Sequence, residues 1–171
     1  METNRVTTLL ERFNDTIDQW IKAVDDYTLD MLHRQPQPGS WSLGQVYTHI
    51  IDDSNWYVEQ MKAALATDAD SEKEMDDRAK YMIKHNGFPD MLIEGPSTNK
   101  PIAQPQSKEA LVQSLQTIKD EVNRLDLSHA VGKTPHPGFL YLNALEWLQM
   151  MEMHMRHHFR QKNRIDSALN N

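Results

Sequence analysis

The sequence predicts an all-α protein, an antiparallel four-helix bundle. Three observations carry that expectation. Four long stretches repeat apolar residues at spacings of three and four, the period of a single helical face. Segments bearing proline and glycine interrupt them, and Ser42, Ser107 and Asn143 stand where helix caps are wanted. No segment alternates β-branched and aromatic residues with polar ones in the manner of a strand. Helices with one apolar face each bury those faces against one another, and a bundle is the compact way to do so.

The first helix is expected over residues 3–32. Leu9, Phe13, Ile17, Trp20, Val24, Tyr27 and Met31 fall on one of its faces, and the prolines and glycine of 33–39 stop it. A second helix is expected over 42–66. There Ser42 and Gln45 form a capping box, each side chain able to satisfy a free backbone N–H. Residues 67–106 form the insert with the weakest periodicity. A short helix is expected around 72–84, and 85–106, with four prolines, reads as an ordered loop or a lid. The third helix spans 107–125, on the stripe Leu111, Leu115, Ile118, Val122 and Leu125. Residues 126–140 are expected to be loop. The fourth helix runs over 143–165 from a second capping-box pattern, Asn143 with Glu146.

The whole chain, 1–171, is of a length for one domain. It contains no cysteine, which excludes disulfides, thiolate ligands and a cysteine nucleophile. Lys and Arg total 18 against 25 Asp and Glu, a formal charge of −7, so phosphate backbones and anionic lipid are poor partners and no nucleic acid is expected. No apolar run approaches the roughly 20 residues that cross a bilayer, and the charged N-terminus does not resemble a signal peptide. No membrane association and a cytoplasmic location are the expectations. Phosphate-binding glycine loops, HExxH and GxSxG are absent, which leaves nucleotide cofactors and serine hydrolysis without support.

The residues that carry chemistry are histidines. His154 and His158 are separated by four positions, about 40° around a helix and roughly 6 Å along it, and they share a stripe with Trp147, Met151 and Ile165. Both imidazoles can therefore converge on one ion from the buried face. His49, on the face of the second helix that carries Val46, Asp53 and Tyr57, supplies a third nitrogen. Three neutral imidazoles suit Zn²⁺, Ni²⁺, Fe²⁺ or Cu²⁺ and leave a coordination position open, the arrangement of a catalytic metal. On spacing alone an inward histidine is more often a hydrogen-bonded core residue.

Asp53, one turn beyond His49, fits a carboxylate that orients the ring, a fourth ligand, or a solvated helix residue. His157 falls about 90° off the stripe and belongs at the rim. His33, His85, His129 and His136 stand in or beside loops and are expected to be exposed, although His136, between two prolines, can instead sit at the rim. Trp41, Trp56 and Trp147 fit a pocket wall or core packing equally well. Met150, Met151, Met153 and Met155 read as adaptable packing, and Glu152 and Arg156 as a surface ion pair.

Taken together, Trp41-Ser42-Leu43-Gly44-Gln45 running into His49-Ile50, the later Glu146-Trp147, and His154-Met155-Arg156-His157-His158-Phe159-Arg160-Gln161 resemble the DinB/YfiT-like superfamily, in particular its DinB-like branch. The resemblance covers all four long helices and is weakest over 67–106. It implies an up-down-down-up bundle with one long crossover, a divalent metal on the three histidines that fall here at His49, His154 and His158, and a homodimer. It further implies an activity among those of the family, which include transfer of bacillithiol-type low-molecular-weight thiols, a thiol-dependent isomerisation, and metal-dependent hydrolysis. The expectation is thus a thiol S-transferase using Zn or Ni, with Fe as the alternative ion and small molecules as partners. Asp53 would act as the orienting group, and His136 or His157 would carry protons at the rim. The alternatives are a metal-dependent hydrolase and a non-catalytic, stress-related metal- or ligand-binding protein.

Overall fold

A computed structural model describes residues 2–88 and 101–169. The lid or loop expected at 85–106 therefore lies in large part outside the described residues. The elements are α1 (Glu2–Ala23), a 3₁₀ turn (Val24–Asp26), α2 (Leu29–His33), α3 (Leu43–Leu65), α4 (Asp77–His85), α5 (Lys108–Arg124), β1 (Lys133–His136), β2 (Leu140–Asn143) and α6 (Ala144–Leu169). The protein is helical, as its apolar periodicity requires, with one small hairpin.

The long helices α3, α5 and α6 each begin where a side chain can satisfy free N–H groups. Ser42 accepts from Gln45 N while Gln45 Oε1 accepts from Ser42 N, the complete capping box. Ser107 accepts from Ala110 N. Asn143 Oδ1 accepts from Glu146 N at 2.9 Å, and Glu146 Oε2 accepts from Asn143 N at 2.8 Å. The last of these pairs joins β2 directly to α6.

Cross-bundle contacts give the helix directions. Thr16 meets Glu152, Trp20 meets Met155 and Tyr27 meets Asp166, so α1 and α6 run parallel. His49 packs on His158 and Trp56 on Trp147, so α3 opposes α6. Gly44 lies beside Pro105 and Lys62 pairs with Glu121, so α3 and α5 run parallel. Asn14 pairs with Asn123 and Asp18 with Lys119, so α1 opposes α5. This is the up-down-down-up arrangement. Two parallel neighbours, α3 and α5, need a connection that returns the length of the bundle, and residues 66–107 provide it.

Phe13, Ile17, Trp20, Val46, Tyr47, Ile50, Leu115, Trp147 and Met151 are fully buried at the centre. The polar ends of the largest rings find backbone partners. Trp20 Nε1 donates to Met155 O, and the Tyr47 hydroxyl donates to Trp20 O. Met150, Met153 and Met155 are likewise buried, in keeping with a packing role.

Four local expectations need correction. The first helix does not run unbroken to residue 32. Tyr27 is extended, and the Thr28 hydroxyl accepts from Met31 N to start α2. The apolar stripe continues because both pieces pack on the same core, so periodicity alone cannot reveal the break. The short helix starts at Asp77, not 72, where Asp76 accepts from Ala79 N. Residues 133–136, inside the expected loop 126–140, pair with 140–143 as an antiparallel hairpin, with Leu140 in the left-handed region at φ 67°. Strands of four residues that include proline and histidine leave no alternation to read. Finally, Glu152 is not a surface residue: it is 2% exposed, with Arg156, Arg12 and Thr16 around its carboxylate.

Candidate metal centre

The capping box fixes where α3 starts and hence which face His49 presents. His49 lies on the α6 side, one turn before Asp53 and two before Trp56 and Tyr57. The Asn143–Glu146 cap fixes α6 in the same way, and His154 and His158 project from it toward α3. His49 Nε2 and His158 Nε2 lie 3.2 and 3.1 Å from His154 Nε2, and all three nitrogens fall within 4.8 Å of one another. Three nitrogens bound at 2.0–2.1 Å around a tetrahedral ion would be about 3.3–3.4 Å apart. The two separations from His154 are close to those of a shared ion.

Proton counting also favours a cation at this point. His158 Nδ1 donates to Gln161 Oε1 at 2.8 Å, so its Nε2 carries a lone pair. His154 Nε2 faces both this nitrogen and His49 Nε2. One N–H can satisfy one of the two contacts and never both, whereas a cation accepts all three lone pairs together. Burial holds His154 well below the ordinary histidine range and takes His158 down to about 3, with the neighbouring imidazoles adding to the shift. Both rings are thus neutral and ready to ligate. His154 Nδ1 is buried without a hydrogen-bond partner among the described residues, so packing, not a polar partner, holds this ring.

Asp53 approaches from the ligating side. Its Oδ2 is 3.5 Å from His154 Nε2 and 3.7 Å from His49 Nε2. A carboxylate that orients a ligand ring would meet Nδ1; this one faces the Nε2 atoms of His49 and His154. Desolvation raises its pKa, opposed by attraction to His49 and helped by Asp52.

Rings form the surround. Trp41, 36% exposed, lies 5.2 Å from the His49 ring. Tyr57 is 5.9 Å from His154, and Phe88 is 6.4 Å from His154 and 5.6 Å from His157. His157 also contacts the His158 ring at 5.4 Å. His136 is partly buried among Trp56, Phe139 and Trp147, and connects to the three histidines through Trp147, Tyr57 and then His154. Burial lowers its pKa to about 4. His33 is also partly buried, with Nε2 2.8 Å from Pro105 O, while His85 and His129 are exposed.

Sequence reasoning brought together His49, His154 and His158 and placed Asp53 beside them. It assigned no role to Gln161, although its spacing from His158, three positions on, is that of neighbours on a helix. Phe88 carried no signal, because it lies in the least periodic part of the chain.

A bundle of this topology, with three imidazoles meeting between its second and last long helices, defines a class of helical protein that could hold a divalent ion. The sequence model of the DinB superfamily matches residues 12–161, and the chain belongs to that superfamily. The match includes His49, His154, His158 and Gln161. Among curated proteins no match is found.

Proposed function

We propose that this chain is a divalent-metal-dependent enzyme that transfers a low-molecular-weight thiol of the bacillithiol type to a small electrophile, with Zn or Ni as the ion. The observation that carries the reading is the convergence of the His49, His154 and His158 nitrogens, two of which the Asp53 carboxylate also faces. His49, His154 and His158 would hold the ion. The bound ion would supply Lewis acidity that lowers the pKa of a thiol or water at its open position.

The rest of the work falls to this chain's own groups. Asp53, with its raised pKa, takes the proton that the thiol gives up. The sulfur then forms its bond to the electrophilic carbon as the leaving group departs with its electron pair. Trp41 and Phe88 provide apolar walls beside the histidines that exclude water and receive the electrophile. Proton movement at the rim belongs to His157, which lies against His158, more readily than to His136, which lies behind a layer of indole. A homodimer in the cytoplasm, each copy one domain, completes the reading.

Hydrolysis is the second reading, and Asp53 favours it as well, since a carboxylate at this position can take a proton from water. The test is turnover of a model electrophile by protein loaded with Zn or Ni, with and without thiol. A thiol adduct that disappears in His154→Ala supports transfer. A hydrolysed product formed without thiol supports the second reading. Metal bound without either product makes the chain a binding protein.

A further inference from the structure

Away from the histidines, α1, the end of α4 and α6 enclose a cleft of about 560 Å³, within the range of small-molecule sites. Arg5, Arg12 and Lys84 line it, with Thr8, Asn86 and Gln149 among its polar residues, and none of the lining residues is acidic. In a chain of net charge −7 this is a local reversal of sign.

The key residue is Arg12. Glu152 lies behind it, but Arg156 already holds that carboxylate through two bonds of 2.9 and 3.0 Å, and Thr16 adds a third at 3.2 Å. Arg12 Nη2 is left 3.7 Å from Glu152, beyond hydrogen-bond reach, and Arg12 Nε is buried without a hydrogen-bond partner. A guanidinium offers five donors in a planar fork, and here most of that capacity is not used by Glu152. Gln149, 8% exposed, is held at the floor by bonds from its amide to Ile83 O and Asn86 Oδ1. The cleft is therefore cationic, polar at its base and built on packed helices.

We infer that this cleft binds a compact organic anion, its carboxylate or phosphate group held by the Arg12 fork, with Arg5 and Lys84 at the entrance. Fork-to-fork pairing with a planar or tetrahedral oxyanion is the chemistry arginine performs best. The site stands independently of the metal reading, because its residues and those of the histidine cluster do not overlap.

The test is a titration of the full-length chain with inorganic phosphate and, separately, with succinate at constant ionic strength, followed by amide NMR shifts. His154→Ala is titrated in parallel, to remove anion binding at a metal. Saturable shifts at Arg12, Asn86 and Gln149 are expected in both proteins, with affinity weakened about tenfold or more in Arg12→Gln. Since Arg12→Gln bears on the buried Glu152, the double variant Arg5→Gln/Lys84→Gln, confined to exposed residues, provides a second reading and should also weaken binding. Which of the two probes binds more tightly tells carboxylate from phosphate as the natural group. Shifts centred on His49 and lost in His154→Ala, or shifts that never saturate, would overturn the inference.

Discussion

Gln161 Oε1 accepts the Nδ1–H of His158 at 2.8 Å, while the opposite edge of the same ring faces His154 at 3.1 Å. One amide thus selects both the tautomer and the plane of a candidate ligand. Partners of this kind typically account for 10–100-fold in metal affinity. Gln161→Ala is expected to weaken Zn or Ni binding by about tenfold or more, and Gln161→Glu to restore it, because a carboxylate accepts the same proton. Calorimetric titration of the three proteins checks this. An unchanged dissociation constant in Gln161→Ala would mean that packing alone aligns His158.

Asp53 separates ligation from proton transfer. Asp53→Asn keeps the shape and removes the basic oxygen that faces His49 and His154. Metal content should remain at the wild-type level, while turnover falls by about 10²–10⁴, the usual contribution of a positioned base. Metal analysis beside steady-state rates decides the point. Loss of the metal with the rate would make Asp53 a ligand instead.

Removing Arg156 leaves a nearly inaccessible carboxylate with Thr16 and the distant Arg12 for company. Glu152 is buried but Arg156 is 42% exposed. Removing Arg156 should thus cost less than the roughly 3–5 kcal/mol of a fully buried pair, whereas replacing both partners with apolar groups is often neutral. Arg156→Leu should therefore be less stable in urea than Glu152→Met/Arg156→Leu. Equal midpoints for the two variants would mean that Arg156 contributes little to holding Glu152 in the core.

His136 gives stability a pH dependence. Its pKa is lowered from the ordinary 6.5 to about 4 by burial among rings, against a weaker pull from Asp76, and its Nδ1 accepts from Gly138 N. The unfolded chain takes up the proton near pH 6.5, and the folded chain resists it until about pH 4. The stabilisation is thus complete above pH 6.5 and is lost as pH falls across that window. Melting temperatures of wild type should drop more steeply from pH 7 to pH 5 than those of His136→Phe. Parallel curves would place the His136 titration at its ordinary value.

Features written in local spacing were legible in the sequence. The capping residues Ser42, Ser107 and Asn143, the four apolar stripes and the convergence of His154 with His158 all follow from helical period and hydrogen-bond need. Features that depend on partners distant in the chain were not. Glu152 and Arg156 have the spacing of any solvated pair, and the burial of Glu152 results from α1 lying across it. The break at Tyr27 and Thr28 was concealed by a core that accepts both pieces, and the hairpin of 133–143 by strands too short to alternate. The ligating-side approach of Asp53 depended on the relative rotation of α3 and α6, which no single-helix projection contains.

The parallel course of α3 and α5 bears on how freely this chain can change length. A connection between them must climb back along α3, whose 23 residues at 1.5 Å each span about 34 Å. Extended chain covers that distance in about ten residues, yet residues 66–107 number 42. The excess, about thirty residues, is not needed for the return itself, and the three candidate ligands lie outside the segment. Its described parts are anchored by Ala69 O accepting from Lys133 N, by α4 packed on α6 and by Pro105 seated against Gly44. Insertions and deletions should be tolerated best away from such points. A library of length variants in this connection, screened for folding and metal content, would locate those anchors without touching a histidine ligand.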